Sequence, residues 1–265
     1  MNKIFVSDID GTCLKKGEKE LSLEVKKAFN SILDLGNTLI IASGRNYRDL
    51  RRLFSNDNKI FYCAENGNLI VYKDEFLFIN KFENKFAKEL IKYLDSLKYY
   101  DFILISTPLK SYYYSQNGDV YIDYVLENTK IGTTLKIDEF LNLLTEDIIK
   151  ISMFKRKVDE KYYSLYKEYQ IKYKDIEIFD SNNNWIDFSP RNGNKGEGIK
   201  FIINYFHLNK NDLYVFGDGE NDISMLKLTK NSFCPISSLE IVKKSSNNCY
   251  IDFASQVKLI LSSLE

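Results

Sequence analysis

The feature that most constrains this chain is a pair of short, uninterrupted apolar runs, Ile4-Phe5-Val6 and Leu39-Ile40-Ile41-Ala42, joined by a stretch whose apolar residues recur at helical spacing. A strand with one wet face alternates apolar and polar residues, whereas a run that is apolar throughout must be covered on both faces. Between the runs, Val25, Ala28, Phe29 and Ile32 share one side of a helix that starts after Ser22 and stops at Gly36. Strand, helix and strand within about forty residues is the βαβ unit of a parallel sheet, and such sheets bind ligands beyond the carboxyl ends of their strands. Asp8 and Ser43 stand at those two ends.

The alternation continues with a helix over 46–54, a strand over 60–63 and a hairpin of 69–72 with 76–79, turning at Lys73-Asp74-Glu75. From Phe82 to about Trp185 the texture changes. Phe86, Leu90, Leu94 and Leu97 mark a helix, and strands are expected at 102–105, 111–115, 120–125, 148–154 and 175–179, with a further helix near 159–170. Asn117-Gly118 marks a hairpin turn. This middle block is expected to be an α+β domain inserted into the first. The α/β texture then returns, with Ile199, Ile202, Ile203 and Phe206 on one helical face after Lys195 and a strand over 213–216 that runs into Gly217-Asp218-Gly219.

In an extended segment, residues two apart point to the same side, so Asp8 and Asp10 can share a site while Ile9 turns into the core. Two carboxylates so close are tolerable when a divalent cation neutralises them, and an all-oxygen set completed by Asp218 suits Mg²⁺ better than Zn²⁺. Aspartate is a nucleophile in phosphoryl transfer, which makes Asp8 a candidate to attack phosphorus. Asp10 can then protonate the leaving oxygen and later deprotonate the water that opens the aspartyl-phosphate. Ser43, with the backbone N–H groups around Gly44, can hold phosphate oxygens, and Lys195 can set a positive charge where negative charge develops. Taken singly, these segments also have plain structural readings: a turn after a strand, a helix entry, a surface lysine, a helix cap at Asn221 and Asp222. Their joint placement at sheet ends is what favours chemistry.

Composition narrows the function further. Lys plus Arg and Asp plus Glu stand at 37 each, so no overall field draws the chain to nucleic acid or to a membrane surface. The apolar stretch before Asp8 is too short for a signal peptide, and no apolar run reaches membrane-spanning length, so the chain is expected to be cytoplasmic. Cys13, Cys63, Cys234 and Cys249 are scattered and are expected to be buried, reduced thiols. His207 is the single histidine, which removes histidine-based metal clusters and leaves catalysis to carboxylates, Lys, Ser or Thr.

These residues resemble the motifs of the haloacid dehalogenase superfamily, and within it the Cof-type phosphatases with a type IIB cap. The resemblance rests on Asp8 to Thr12, on Ser43 in Ala42-Ser43-Gly44-Arg45, on Lys195, and on Gly217 to Asp222; Ala64 to Gly67 resembles the segment that precedes the cap hairpin. It implies a Rossmann-like α/β core with a parallel sheet, formed by residues 1–81 and 188–265, with an α+β cap over 82–187. It further implies that Asp8 is the nucleophile and a Mg²⁺ ligand, and that Asp10 is the general acid/base whose main-chain carbonyl also reaches the metal. Asp218 would be a metal ligand and Asp222 would support the metal through its water shell. Ser43, Gly44, Lys195 and Asn221 would hold the phosphate, and Arg45 would reach the substrate or the cap. Substrate selection is expected in the cap, with Tyr121, Asp123 and Tyr124 as candidate contacts.

The expected activity is Mg²⁺-dependent hydrolysis of small phosphorylated metabolites, sugar phosphates first. Three alternatives stay open at this level: a phosphomutase that returns the phosphoryl group to its substrate, a receiver-like module that hosts an aspartyl-phosphate as a signal, and a non-catalytic scaffold. Oligomeric state is not legible in the sequence.

Overall fold

The computed structural model describes residues 2–15, 18–55, 57–115, 137–181 and 184–264. In chain order the strands are β1 (Ile4–Ser7), β2 (Thr38–Ala42), β3 (Phe61–Ala64), β4 (Leu69–Tyr72), β5 (Glu75–Ile79), β6 (Phe102–Ser106), β7 (Ser111–Tyr114), β8 (Lys150–Phe154), β9 (Glu177–Ser181), β10 (Trp185–Ser189), β11 (Leu213–Phe216), β12 (Ser232–Pro235) and β13 (Asn248–Tyr250). The chain divides into two compact units, Met1–Phe78 with Asn194–Glu265, and Ile79–Gly193.

The first unit is built on an eight-stranded sheet in the order β13-β12-β11-β1-β2-β3-β4-β5. From β13 to β3 neighbouring strands run parallel, and β4 pairs antiparallel with β3. Both faces of the central strands are covered, as their apolar runs require. On one face Ile4, Val6, Ile40 and Ala42 meet Ile199 and Ile202 of the helix Lys195–Tyr205. On the other, Phe29 of the helix Leu23–Asp34, Phe253 of the helix Phe253–Leu264 and Phe216 of β11 form a chain of ring contacts at 5.3 and 5.1 Å. Three of the first unit's helices are started by a side chain: Ser22 accepts from the Val25 N–H, Asn46 from Asp49 and Asn194 from Glu197.

The second unit holds a five-stranded sheet in the order β7-β6-β8-β10-β9, antiparallel at every pairing. Period-two alternation sends Ile103, Ile105, Tyr112, Tyr114, Ile151, Met153, Ile186 and Phe188 into one core with Leu90 and Leu94 of the helix Asn84–Ser96 and Tyr162 and Tyr169 of the helix Glu160–Lys172. The opposite face carries Phe102, Tyr113, Phe154 and Trp185 in a smaller cluster. An insertion of α+β texture is therefore present as the sequence suggests, but the boundaries at 82 and 187 lie inside this unit. The strand β10 was not anticipated; it pairs with β8 and β9 and so keeps residues 185–189 in the second sheet. Asp187 disguised it: the residue is 4% exposed and its carboxylate accepts from the Ser181 hydroxyl at 2.9 Å, a polar side chain made acceptable in a strand by a local partner. The expected turn at 116–119, the strand over 120–125 and the contacts Tyr121, Asp123 and Tyr124 lie outside the described residues.

Cys13, Cys63 and Cys234 are buried as expected, whereas Cys249 is exposed on β13, the edge of the first sheet. An edge strand leaves one side open, and that is where the expectation for this thiol fails. Among the described residues, no helix is long and apolar enough to cross a membrane. Ile40 is fully buried at the centre of the parallel sheet. Ile40→Ala is expected to lower the free energy of unfolding by about 2–5 kcal/mol, read as a lower urea midpoint with unchanged slope.

Candidate active site

The parallel register sets the ends of three strands side by side. Ser7 is level with Ile41 on β2 and with Phe216 on β11, so the residues that follow, Asp8, Ala42-Ser43 and Gly217-Asp218, emerge together at the carboxyl edge. Asp8 is held there by its own N–H, which donates to the Phe216 carbonyl at 2.9 Å. Ile9 points inward and is fully buried. Its carbonyl accepts from the N–H groups of Thr12, Cys13 and Leu14, closing a tight turn. Gly11 sits in that turn at φ +92°, and a Cβ there would lie 2.1 Å from Asp218 Oδ2, so only glycine satisfies both the backbone and the approach of the second acidic loop.

Three carboxylates converge. Asp8, Asp218 and Asp222 each offer an oxygen within 4.8 Å of the other two. Lys195 Nζ donates to Asp8 Oδ1 and to Asp222 Oδ1, both at 2.6 Å, and its side chain is 1% exposed. The other oxygen of Asp222 accepts from the N–H groups of Asp218 and Gly219 at 2.8 and 2.9 Å, which fixes the loop. Thr12 donates to Asp218 Oδ1 at 2.6 Å. Burial, together with Asp222, Asp218 and Asp10, pushes the Asp8 carboxyl well above the usual carboxylate range against the pull of Lys195. Burial and then Asp222 raise Asp218 to about 6. Burial disfavours the Lys195 ammonium, yet Asp222 and Asp8 outweigh it and hold the group charged.

The arithmetic of charge points to a cation. Three carboxylates face one ammonium, which leaves two negative charges in a buried, all-oxygen donor set. The same field that favours protons on Asp8 and Asp218 favours a divalent ion, and hard oxygen donors fit such an ion. The residues present therefore fit a divalent metal.

Asp10 takes a different partner. Its carboxylate is not in the acidic group; Arg45 grips it in a two-pronged pair, Nε to Oδ2 at 2.7 Å and Nη2 to Oδ1 at 2.6 Å. The third side-chain carboxylate grouped with Asp8 and Asp218 is Asp222, and Arg45, expected to reach the substrate or the cap, pairs with Asp10. Ser43 accepts from the Arg45 N–H at 3.2 Å, and the Ser43 carbonyl accepts from the Asn66 N–H at 3.0 Å. Asn66 Oδ1 in turn accepts from Asn221 Nδ2 at 3.1 Å and lies 3.1 Å from where a Cβ on Gly44 would be.

Asn66 is thus the residue that sequence reasoning missed. It ties the Ser43-Gly44 turn to the Asn221 loop, from the only run of three consecutive left-handed residues among the described ones: Glu65 at φ 51°, Asn66 at 57° and Gly67 at 91°. The Asn-Gly pair directly after a strand was the available signal, since asparagine tolerates that conformation. A Cβ on Gly67 would meet the Asn194 carbonyl at 2.4 Å, so the same turn also seats the start of the Lys195 helix.

Comparison with known proteins adds a family to this geometry. Residues 5–252 match the model of the haloacid dehalogenase-like hydrolase family. Phosphatase YwpJ of Bacillus subtilis (strain 168) is 23% identical over 254 residues, covering 85% of this chain and 86% of its own. The structure of SMU.1108c from Streptococcus mutans UA159 superposes with a TM-score of 0.83 at 21% identity, over 100% of this chain and 99% of that one. A protein described as the HAD subclass IIB sugar phosphatase BT4131 superposes with a TM-score of 0.78 at 20% identity, over 98% of each chain.

Lys195→Met is expected to cost about 3–5 kcal/mol of stability, because it leaves Asp8 and Asp222 buried without their countercharge; chemical denaturation reads it. A divalent cation at 100-fold over its dissociation constant is expected to stabilise the metal-free chain by about 2.7 kcal/mol, seen as a higher melting temperature that Gly11→Ala abolishes.

Proposed function

The chain belongs to the haloacid dehalogenase-like hydrolases, and from that premise we propose that it is a Mg²⁺-dependent phosphatase acting on small phosphomonoesters, sugar phosphates first among them. The observation that carries this reading is the buried carboxylate Asp8 held by Lys195 beside Asp218 and Asp222. A carboxylate fixed by a buried ammonium at the mouth of a parallel sheet is oriented as a nucleophile rather than as a surface charge.

Asp8 Oδ2, the oxygen that Lys195 does not engage, attacks phosphorus and forms an aspartyl-phosphate. Asp8, Asp218 and the Asp10 carbonyl would hold Mg²⁺, with Asp222 supporting it through its water shell, and the ion would screen the negative charges of nucleophile and phosphate from one another. Lys195 adds a fixed positive charge where the transferring group becomes more anionic. The N–H groups of the Ser43-Gly44 turn, the Ser43 hydroxyl and Asn221 take the phosphate oxygens, with Asn66 setting the distance between the two loops. Asp10, aimed by Arg45, protonates the departing alcohol oxygen. It then takes a proton from the water that opens the aspartyl-phosphate, which releases inorganic phosphate and restores the Asp8 carboxylate.

The kinship to a phosphatase and to a protein described as a sugar phosphatase supports the choice of substrate class. The test is phosphate release from a panel of sugar phosphates and other small phosphomonoesters, with and without Mg²⁺. Asp8→Asn, which keeps shape and removes the nucleophile's charge, is expected to lower turnover by at least about 10³-fold with an unchanged circular dichroism spectrum. Full turnover in that variant, or no phosphate release by the folded, Mg²⁺-loaded protein across the panel, overturns the reading. Arg45→Ala is expected to lower kcat by roughly 10²-fold with a smaller effect on KM, since it misplaces a proton donor without removing it.

A further inference from the structure

At the far edge of the first sheet, two cysteines distant in sequence lie side by side. The strands β12 and β13 run parallel with Cys234 level with Cys249, and the two sulfurs are 3.7 Å apart. Neighbouring strands are spaced about 4.8 Å apart, which falls inside the Cα separation of about 4.4–6.8 Å that a disulfide spans. The pair is thus placed within the range that a disulfide can span.

The two thiols are not equivalent. Cys249 is exposed on the edge strand, while Cys234 is fully buried on the strand inside it. Burial and the adjoining Cys249 thiol push Cys234 up to about 11, so it is protonated and sheltered while Cys249 meets solvent. The other two cysteines, Cys13 and Cys63, are buried and take no part. This is the arrangement of an accessible thiol backed by a resolving one.

We infer that Cys234 and Cys249 form a peroxide-sensitive dithiol that closes reversibly into an intrachain disulfide. The Cys249 thiolate attacks the peroxide: an S–O bond forms, the O–O bond breaks, and hydroxide or alkoxide leaves and takes up the proton the thiol released, giving a sulfenic acid at Cys249. The Cys234 sulfur then attacks the Cys249 sulfur: the S–S bond forms, the S–O bond breaks, and hydroxide departs with the Cys234 proton as water. Two electrons pass from the two thiols to the peroxide, and a dithiol reductant reverses the change.

The bond joins two strands that each touch the candidate active site through a residue adjacent to the cysteine. The Phe233 carbonyl accepts from the Gly217 N–H at 3.2 Å, and the Tyr250 hydroxyl donates to the Thr12 carbonyl at 3.0 Å. Closure therefore fastens together the two strands that back the Gly217 and Thr12 turns.

The test uses the full chain, reduced, then exposed to a small excess of hydrogen peroxide under native conditions. Thiols are counted in denaturant and peptides mapped without reduction. The four free thiols of the starting protein are expected to fall to two, with a Cys234–Cys249 crosslinked peptide two hydrogens lighter than its parts and full recovery on adding dithiothreitol. In Cys234→Ser, Cys249 is expected to stop at a sulfenic acid trapped by dimedone, and Cys249→Ser is expected to keep all its remaining thiols. Oxidation of Cys249 to a sulfinic acid, or its linkage to a second copy of the chain, with no intrachain crosslink in the unaltered protein, sinks the inference.

Discussion

The contact on which the site depends is the buried ammonium of Lys195, shared between Asp8 and Asp222 at 2.6 Å each. Burying a carboxylate without a partner is costly, and here three are gathered within 4.8 Å of one another while the lysine pairs with two of them. The lysine settles part of the imbalance, Thr12 and the backbone N–H groups of Asp218 and Gly219 settle more, and the remainder is what gives the cluster its appetite for a cation. Stability and chemistry are thus opposed at one point. A core with fewer carboxylates would fold more firmly and would lack the donor set that fits a divalent cation.

The sheet makes that concentration of charge possible. Parallel strands deliver their following residues to one edge, and the register of β1 with β2 and β11 makes Asp8, Ser43 and Asp218 near neighbours although the chain runs about 200 residues between the first and the last of them. Left-handed turns do the fine placement. Gly11 lets Asp218 come within a distance that any side chain would forbid, and Glu65-Asn66-Gly67 brings an amide between the Ser43-Gly44 turn and the Asn221 loop while leaving room for the first turn of the Lys195 helix. Such strained backbone survives because packed elements on every side determine it.

Much of this was legible in the sequence for a physical reason: fully apolar runs have few ways to be buried, so Ile4-Phe5-Val6 and Leu39-Ile40-Ile41-Ala42 fixed a covered parallel sheet, and with it the edge where Asp8, Ser43 and Asp218 emerge. What escaped depends on partners that no local pattern encodes. The strand β10 was hidden by Asp187, a polar side chain whose buried carboxylate accepts from Ser181 on the neighbouring strand. The pairing of Asp10 with Arg45 follows from side-chain directions at the ends of separate loops. Asn66 carried a signal, an Asn-Gly pair after a strand, but its role lies in contacts with residues far along the chain. The exposure of Cys249 required knowing which strand ends the sheet.

The order of strands also governs how the protein comes into being. Ile4 pairs with Thr38 on one side and with Leu213 on the other, so one flank of the central strand is completed early in synthesis and the other only after more than three quarters of the chain has been made. Until then the growing polypeptide carries an apolar strand with an open flank, the kind of surface that recruits the wrong neighbour. Chaperone occupancy and yield at high expression should therefore depend on the arrival of Leu213–Phe216, and a truncated product ending before it should be the species that aggregates.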